Sequence, residues 1–131
     1  MKKIPLAIAY KVVLGIIPLV LIFHALILLE FIPYDMVWGG RLTSSEQMIR
    51  YELSAVFINL FMAWTVAMKA KLIDRILPKM IIQGLLWIFV VLFALNTVGN
   101  LLAFNSLETY IFTPVTFVSF ILFLRMALEK N

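Results

Sequence analysis

Cysteine is absent from the 131 residues, histidine occurs once, glycine five times, and charged side chains fill only 14% of positions. The missing cysteines exclude disulfides and every thiolate-based metal, redox or nucleophilic site. The single histidine, His24, excludes bis-histidine haem ligation within one chain. It is also a poor match to zinc catalysis, which gathers several His or carboxylate ligands around an open position. Apart from the Gly39-Gly40 pair the glycines are isolated, which leaves no phosphate-cradling loop and no Gly-x-Ser-x-Gly elbow. Gly15, Gly84 and Gly99 read instead as points of close helix packing. No His-Glu-x-x-His or EF-hand spacing occurs, and no cofactor is implied.

The scarcity of charge goes with 64% apolar residues, against roughly 45–50% apolar and about 25% charged in soluble domains. A soluble fold cannot hide that much apolar surface. The formal net charge of +4 does not point to nucleic acid, because Lys and Arg gather at the ends of the apolar runs and form no basic face. The seven methionines are scattered without a metal-binding tract and read as core filling.

What is present is a set of four apolar runs, each near the roughly 20 residues that a bilayer requires. They predict an all-α integral membrane protein, an antiparallel four-transmembrane-helix bundle in one domain over 1–131, with spans at about 5–30, 46–70, 80–104 and 110–127. Met1-Lys2-Lys3 resembles the start of a signal peptide, but no small-residue cleavage site follows the run ending at Leu29, so the first helix is expected to be retained. Pro18 is expected to kink it. Thr43-Ser44-Ser45-Glu46 offers a capping box before the second run. Pro78 suits the first turn of the third, and Asn105 to Glu108 suits a tight hairpin before the fourth.

Orientation follows from charge. Lys2, Lys3, Lys11, Lys69, Lys71, Arg75, Lys79, Arg125 and Lys130 fall on one side of these runs, against Arg41 and Arg50 on the other. The positive-inside rule then places both termini and the 69–79 connector in the cytoplasm, and the expected location is a bacterial inner membrane. Tyr34, Trp38, Tyr51 and Tyr110 mark the outer interface, and Tyr10, Trp64 and Trp87 the inner one. Glu30, Asp35, Glu46, Glu52 and Glu108 lie outside, an acidic excess that favours cations.

Every span brings polar groups to its outer half: His24 and Glu30, then Glu52 and Asn59, then Asn96, Thr97 and Asn100, then Thr113 and Thr116. Ionisable groups inside spans are costly and face the bundle or a cavity. An outward-facing pocket lined by His24, Glu52, Asn59, Asn96, Asn100 and Glu108, covered by Trp38 and Arg41, satisfies them; interhelical hydrogen bonding satisfies them as well. Glu30 is six residues from His24, about 120° around the helix, so the two make no automatic dyad. The inner half has mainly Thr65, Gln83 and Ser119, expected as helix contacts.

Three functions fit this pattern. The first is binding or transport of a small polar or cationic solute in the outer pocket. The second is an accessory subunit in a homo-oligomer or larger membrane complex, partnered otherwise by membrane lipids. The third is a membrane enzyme acting on a lipid, quinone or isoprenoid, with His24 as acid or base and Glu52 or Glu108 as its partner.

Overall fold

A computed structural model describes residues 3–103, 106 and 108–129. Four helices carry the described chain: α1 Leu6–Leu28, α2 Ser45–Lys69, α3 Lys79–Leu101 and α4 Thr113–Ala127. A π-helical turn, Glu108–Phe112, leads directly into α4, and no strand occurs among the described residues. All four segments, α4 together with its π-turn, are long and apolar enough to cross a membrane. The end of the third span expected at Phe104, the charges of Lys2 and Lys130, and residues 105 and 107 of the hairpin expected over 105–108 lie outside the described residues.

The helix ends follow from local chemistry. Ser44 caps α2, its hydroxyl accepting from the Gln47 amide at 3.1 Å. Gln47 Oε1 in turn accepts from the Thr43 amide at 2.9 Å. The cap is thus Ser44 with Gln47 three residues on, whose side chain reaches back to Thr43, one residue along from the Thr43–Glu46 box that the sequence suggests, because Ser44 takes the extended N-cap backbone. Pro78 is likewise the N-cap of α3, just ahead of its first turn. α1 and α2 close in the same way: Phe31 N donates to Leu26 O and Leu72 N to Ala67 O, with Glu30 and Lys71 in the left-handed region at φ 64° and 62°. α1 runs through Pro18, which removes the N–H that the Leu14 carbonyl would accept.

Each helix packs on its neighbour in chain order, and α1 closes the ring against α4. The main core joins Val13 and Ile17, Met62 and Val66, Leu86 and Phe89, and Phe123 and Met126. Its centre is aromatic, with Phe89 edge-on to both Phe61 and Phe123. A smaller cluster at the opposite end sets Ile27 and Met48 against Val37 and Leu42 of the α1–α2 loop. The lateral surface is apolar: Leu19, Ile22, Phe57, Leu60, Ile88 and Leu95 are each more than half exposed. In water that surface would cost about 25 cal/mol per Å². Such a surface is compatible with a multi-pass membrane protein.

Gly15, Gly84 and Gly99 correct the close-packing reading, because a Cβ added to any of them would meet nothing within 4 Å. The methionines divide: Met48, Met62, Met68 and Met126 are buried, whereas Met36 and Met80 are exposed.

One end of the bundle is closed by basic groups. Lys69 Nζ donates to Gln83 Oε1 at 3.2 Å and to the Glu129 carbonyl at 2.5 Å. Gln83 Nε2 donates to the Ala127 carbonyl. Arg125 reaches the Ile4 carbonyl at 2.8 Å and Glu129 Oε1 at 3.2 Å. Lys69 and Arg125 are therefore buried structural ties as well as charges at helix ends.

Candidate functional site

The other end holds the candidate site. On α2 the residues Met48, Glu52, Ala55, Asn59, Met62, Val66 and Lys69 recur at alternating intervals of four and three, and all seven are buried. That spacing is the seam of a packed helix, so Glu52 occupies a core position by geometry. On α1, His24 stands seven residues after buried Ile17 and three before buried Ile27, which turns it to the same interior. The two seams bring His24 Nδ1 into hydrogen-bond contact with Glu52 Oε2. Glu52 is fully buried, and the His24 side chain is 14% exposed.

The second Glu52 oxygen is also occupied. Trp38 Nε1 donates to Oε1 at 2.7 Å. The indole comes from the loop between α1 and α2, where the short 3-10 turns Tyr34–Met36 and Trp38–Gly40 follow one another. Trp38, Gly39 and Gly40 all have positive φ, at 55°, 71° and 73°. Glycine adopts this region freely, whereas a tryptophan there costs about 1–2 kcal/mol. The bend turns the Trp38 indole onto Glu52 and, at the next residue, the Gly39 amide onto Glu108. Gly39 N donates to Glu108 Oε1 and Oε2 at 3.0 and 2.9 Å. Consecutive loop residues thus hold two buried carboxylates, one from α2 and one from the π-turn before α4. The Trp38 ring also meets Tyr51 edge-on, with centroids 5.2 Å apart.

The remaining sequence-predicted site residues are placed differently. Asn59 is buried on the α2 seam, and its amide donates to its own helix at Ala55 O, 2.8 Å. Asn100 lies between α3 and α4: Nδ2 donates to Thr116 Oγ1 at 3.2 Å, and Thr97 Oγ1 reaches the same hydroxyl at 3.1 Å. Asn96 has an exposed side chain and does not join the group. Arg41 is exposed, its guanidinium lying against Gly39, where an added Cβ would clash with Nη1. A cleft of about 520 Å³ opens at this end, but it is lined by Ile27, Glu30, Tyr34, Asp35, Thr43 and their neighbours. His24, Glu52, Asn59, Asn96 and Asn100 do not line it.

No family model, no curated protein and no solved structure matches this chain. A histidine bonded through Nδ1 to a carboxylate keeps Nε2 as its second ring nitrogen, so the pair can take up or pass on a proton. Among the described residues no group of three or more His, Asp or Glu side chains is placed to hold a metal ion.

Sequence reasoning missed the Gly39 amide as a donor. It named both Glu52 and Glu108 as candidate partners for His24, and the contact across 28 residues is with Glu52. The four-three spacing along α2 marks Glu52 as a core position, but the partner it meets depends on how two helices are set against one another.

Proposed function

We propose that this chain is a multi-pass protein of a bacterial inner membrane that binds a small polar or cationic solute at its outer end and moves it across the bilayer. In this reading the four helices are antiparallel spans, with both termini and the 69–79 connector in the cytoplasm. The nine-to-two division of Lys and Arg supports that orientation. The observation that carries the functional reading is the contact of the only histidine with a fully buried carboxylate. Ionisable groups within membrane spans characteristically mark solute and proton pathways, and this pair sits beneath a loop bearing Trp38. The outer cleft, which Ile27 and Met48 line one helical turn from His24 and Glu52, also bears Glu30 and Asp35, whose charge favours cations.

Purified protein in liposomes containing a pH-sensitive dye tests the reading. Gradients of sodium, potassium, ammonium, methylammonium and choline are imposed in turn. The expected result is a proton or solute flux, carried by the wild type for at least one of these ions, that Glu52→Gln abolishes. Equal traces for wild type, Glu52→Gln and empty liposomes would overturn it. Orientation is tested by a cysteine at Ser45, expected to react with an impermeant thiol reagent from outside.

The open surroundings of Gly15, Gly84 and Gly99 favour a second reading, in which other helices pack there in a homo-oligomer or larger complex. Recovery of the chain always alone from mild detergent would count against it.

A further inference from the structure

Each oxygen of the Glu52 carboxylate has a partner within the chain: Oε2 has His24, Oε1 has Trp38. The two partners are not equivalent. His24 belongs to a helix seam, whereas Trp38 belongs to a loop, is 38% exposed, and holds a backbone conformation that tryptophan rarely adopts. A solute arriving from outside and seeking Glu52 therefore meets the indole first. From this geometry we infer that Trp38 is a built-in stand-in for the ligand, its indole N–H occupying the position that an N–H group of a protonated amine takes when it binds Glu52. The inference rests on the proposed solute-binding reading and names the chemical class of the solute.

Three features point to an amine. The displaced group is a nitrogen donor 2.7 Å from a carboxylate oxygen, so a replacement of equal geometry carries N–H. Tyr51, the neighbour of Glu52 in sequence, sets its ring against Trp38 with centroids 5.2 Å apart, so aromatic surface, which attracts cations, stands beside the indole that covers the carboxylate. His24 and Glu52 supply only two protein donors, and among the described residues no third His, Asp or Glu completes a metal site. The Gly39 amide on Glu108 keeps the loop tethered while the indole moves, so displacement does not require the loop to leave the bundle.

The test uses the full chain in lipid nanodiscs, with Trp64→Phe and Trp87→Phe leaving Trp38 as the sole indole. Methylammonium chloride and tetramethylammonium chloride, which has no N–H, are titrated while Trp38 emission is recorded. A saturable change with methylammonium and none with tetramethylammonium is expected. Binding of radiolabelled methylammonium is measured in parallel. Trp38→Phe removes the competing donor and should bind at least about tenfold more tightly, the equivalent of one hydrogen bond to a charged group. Glu108→Gln, which loosens the Gly39 tether, should tighten binding by a smaller factor. An unchanged emission, an equal response to tetramethylammonium, or a Trp38→Phe affinity no higher than wild type would overturn the inference. If Trp38→Phe does not assemble, the two emission titrations decide. Glu52-dependent flux with a Trp38 indifferent to methylammonium would remove displacement and leave solute binding standing. Displacement without any flux would remove transport alone.

Discussion

The two ends of the bundle bury charge-bearing groups in contrasting ways. At the end formed by Lys69, Gln83 and Arg125, cationic side chains meet the carbonyls of Ile4 and Glu129, with Gln83 bound to Ala127. The acceptors at Ala127 and Glu129 lie in the final turn of α4 and just beyond it, where unpaired carbonyls and the helix dipole both favour a cation. At the other end two carboxylates, Glu52 and Glu108, depend on donors from one loop bent through three positive-φ residues. The first arrangement ties side chains to fixed main-chain carbonyls. The second includes one side-chain donor from a loop, the Trp38 indole, which is the group proposed above to exchange with a solute. Polarity alone therefore does not distinguish the two ends; the nature of the partner does.

Substitutions at the two ends should separate these roles. The largest effect is expected from Glu52→Gln, which keeps the shape of the side chain but removes its capacity for charge, and should weaken methylammonium binding by about 10- to 100-fold in a direct binding assay. Arg125→Leu strips the opposite end of its bonds to Ile4 and Glu129. It should lower stability by about 1–3 kcal/mol in thermal unfolding while leaving methylammonium affinity unchanged. A loss of binding in that variant would erase the distinction between the ends.

Gly39→Ala sharpens the comparison on the loop side. At φ 71° an alanine is strained by about 1–2 kcal/mol, and the flexible end of Arg41 must also move aside. Hydrogen exchange over residues 36–42 should speed up with no change at residues 125–129. Asn100→Leu breaks one contact between α3 and α4, worth about 0.6 kcal/mol in membrane bundles. Asn96→Leu touches only an exposed position and should stay within about 0.5 kcal/mol of wild type. If Asn96→Leu costs more than Asn100→Leu, α3 is turned differently about its axis.

Much of the scaffold was readable before the structure. The four apolar runs are long enough to declare themselves, and Ser44 and Pro78 punctuate two of the starts to within a residue. The π-turn Glu108–Phe112 was not readable, because a widened turn has no period of its own in the sequence. His24 and Glu52 were each identifiable as polar groups in apolar surroundings, yet their contact depends on the register between helices, which spacing along one helix does not encode. Helix spacing alone sets Glu30 about 120° from His24, and Glu30 lies exposed beyond the end of α1, whereas which of Glu52 and Glu108 meets His24 is decided by how the helices are set against one another. Gly15, Gly84 and Gly99 show the converse failure: small residues permit close packing without requiring it.

The central claim is that an amine reaches the Glu52 carboxylate next to His24. Because His24 is the only histidine, ¹⁵N NMR of imidazole-labelled protein in nanodiscs yields a single pair of ring-nitrogen signals. Methylammonium should shift them saturably in the wild type, through the shared carboxylate, and should leave them unmoved in Glu52→Gln. Signals that ignore methylammonium in the wild type, or that move identically in Glu52→Gln, would contradict it.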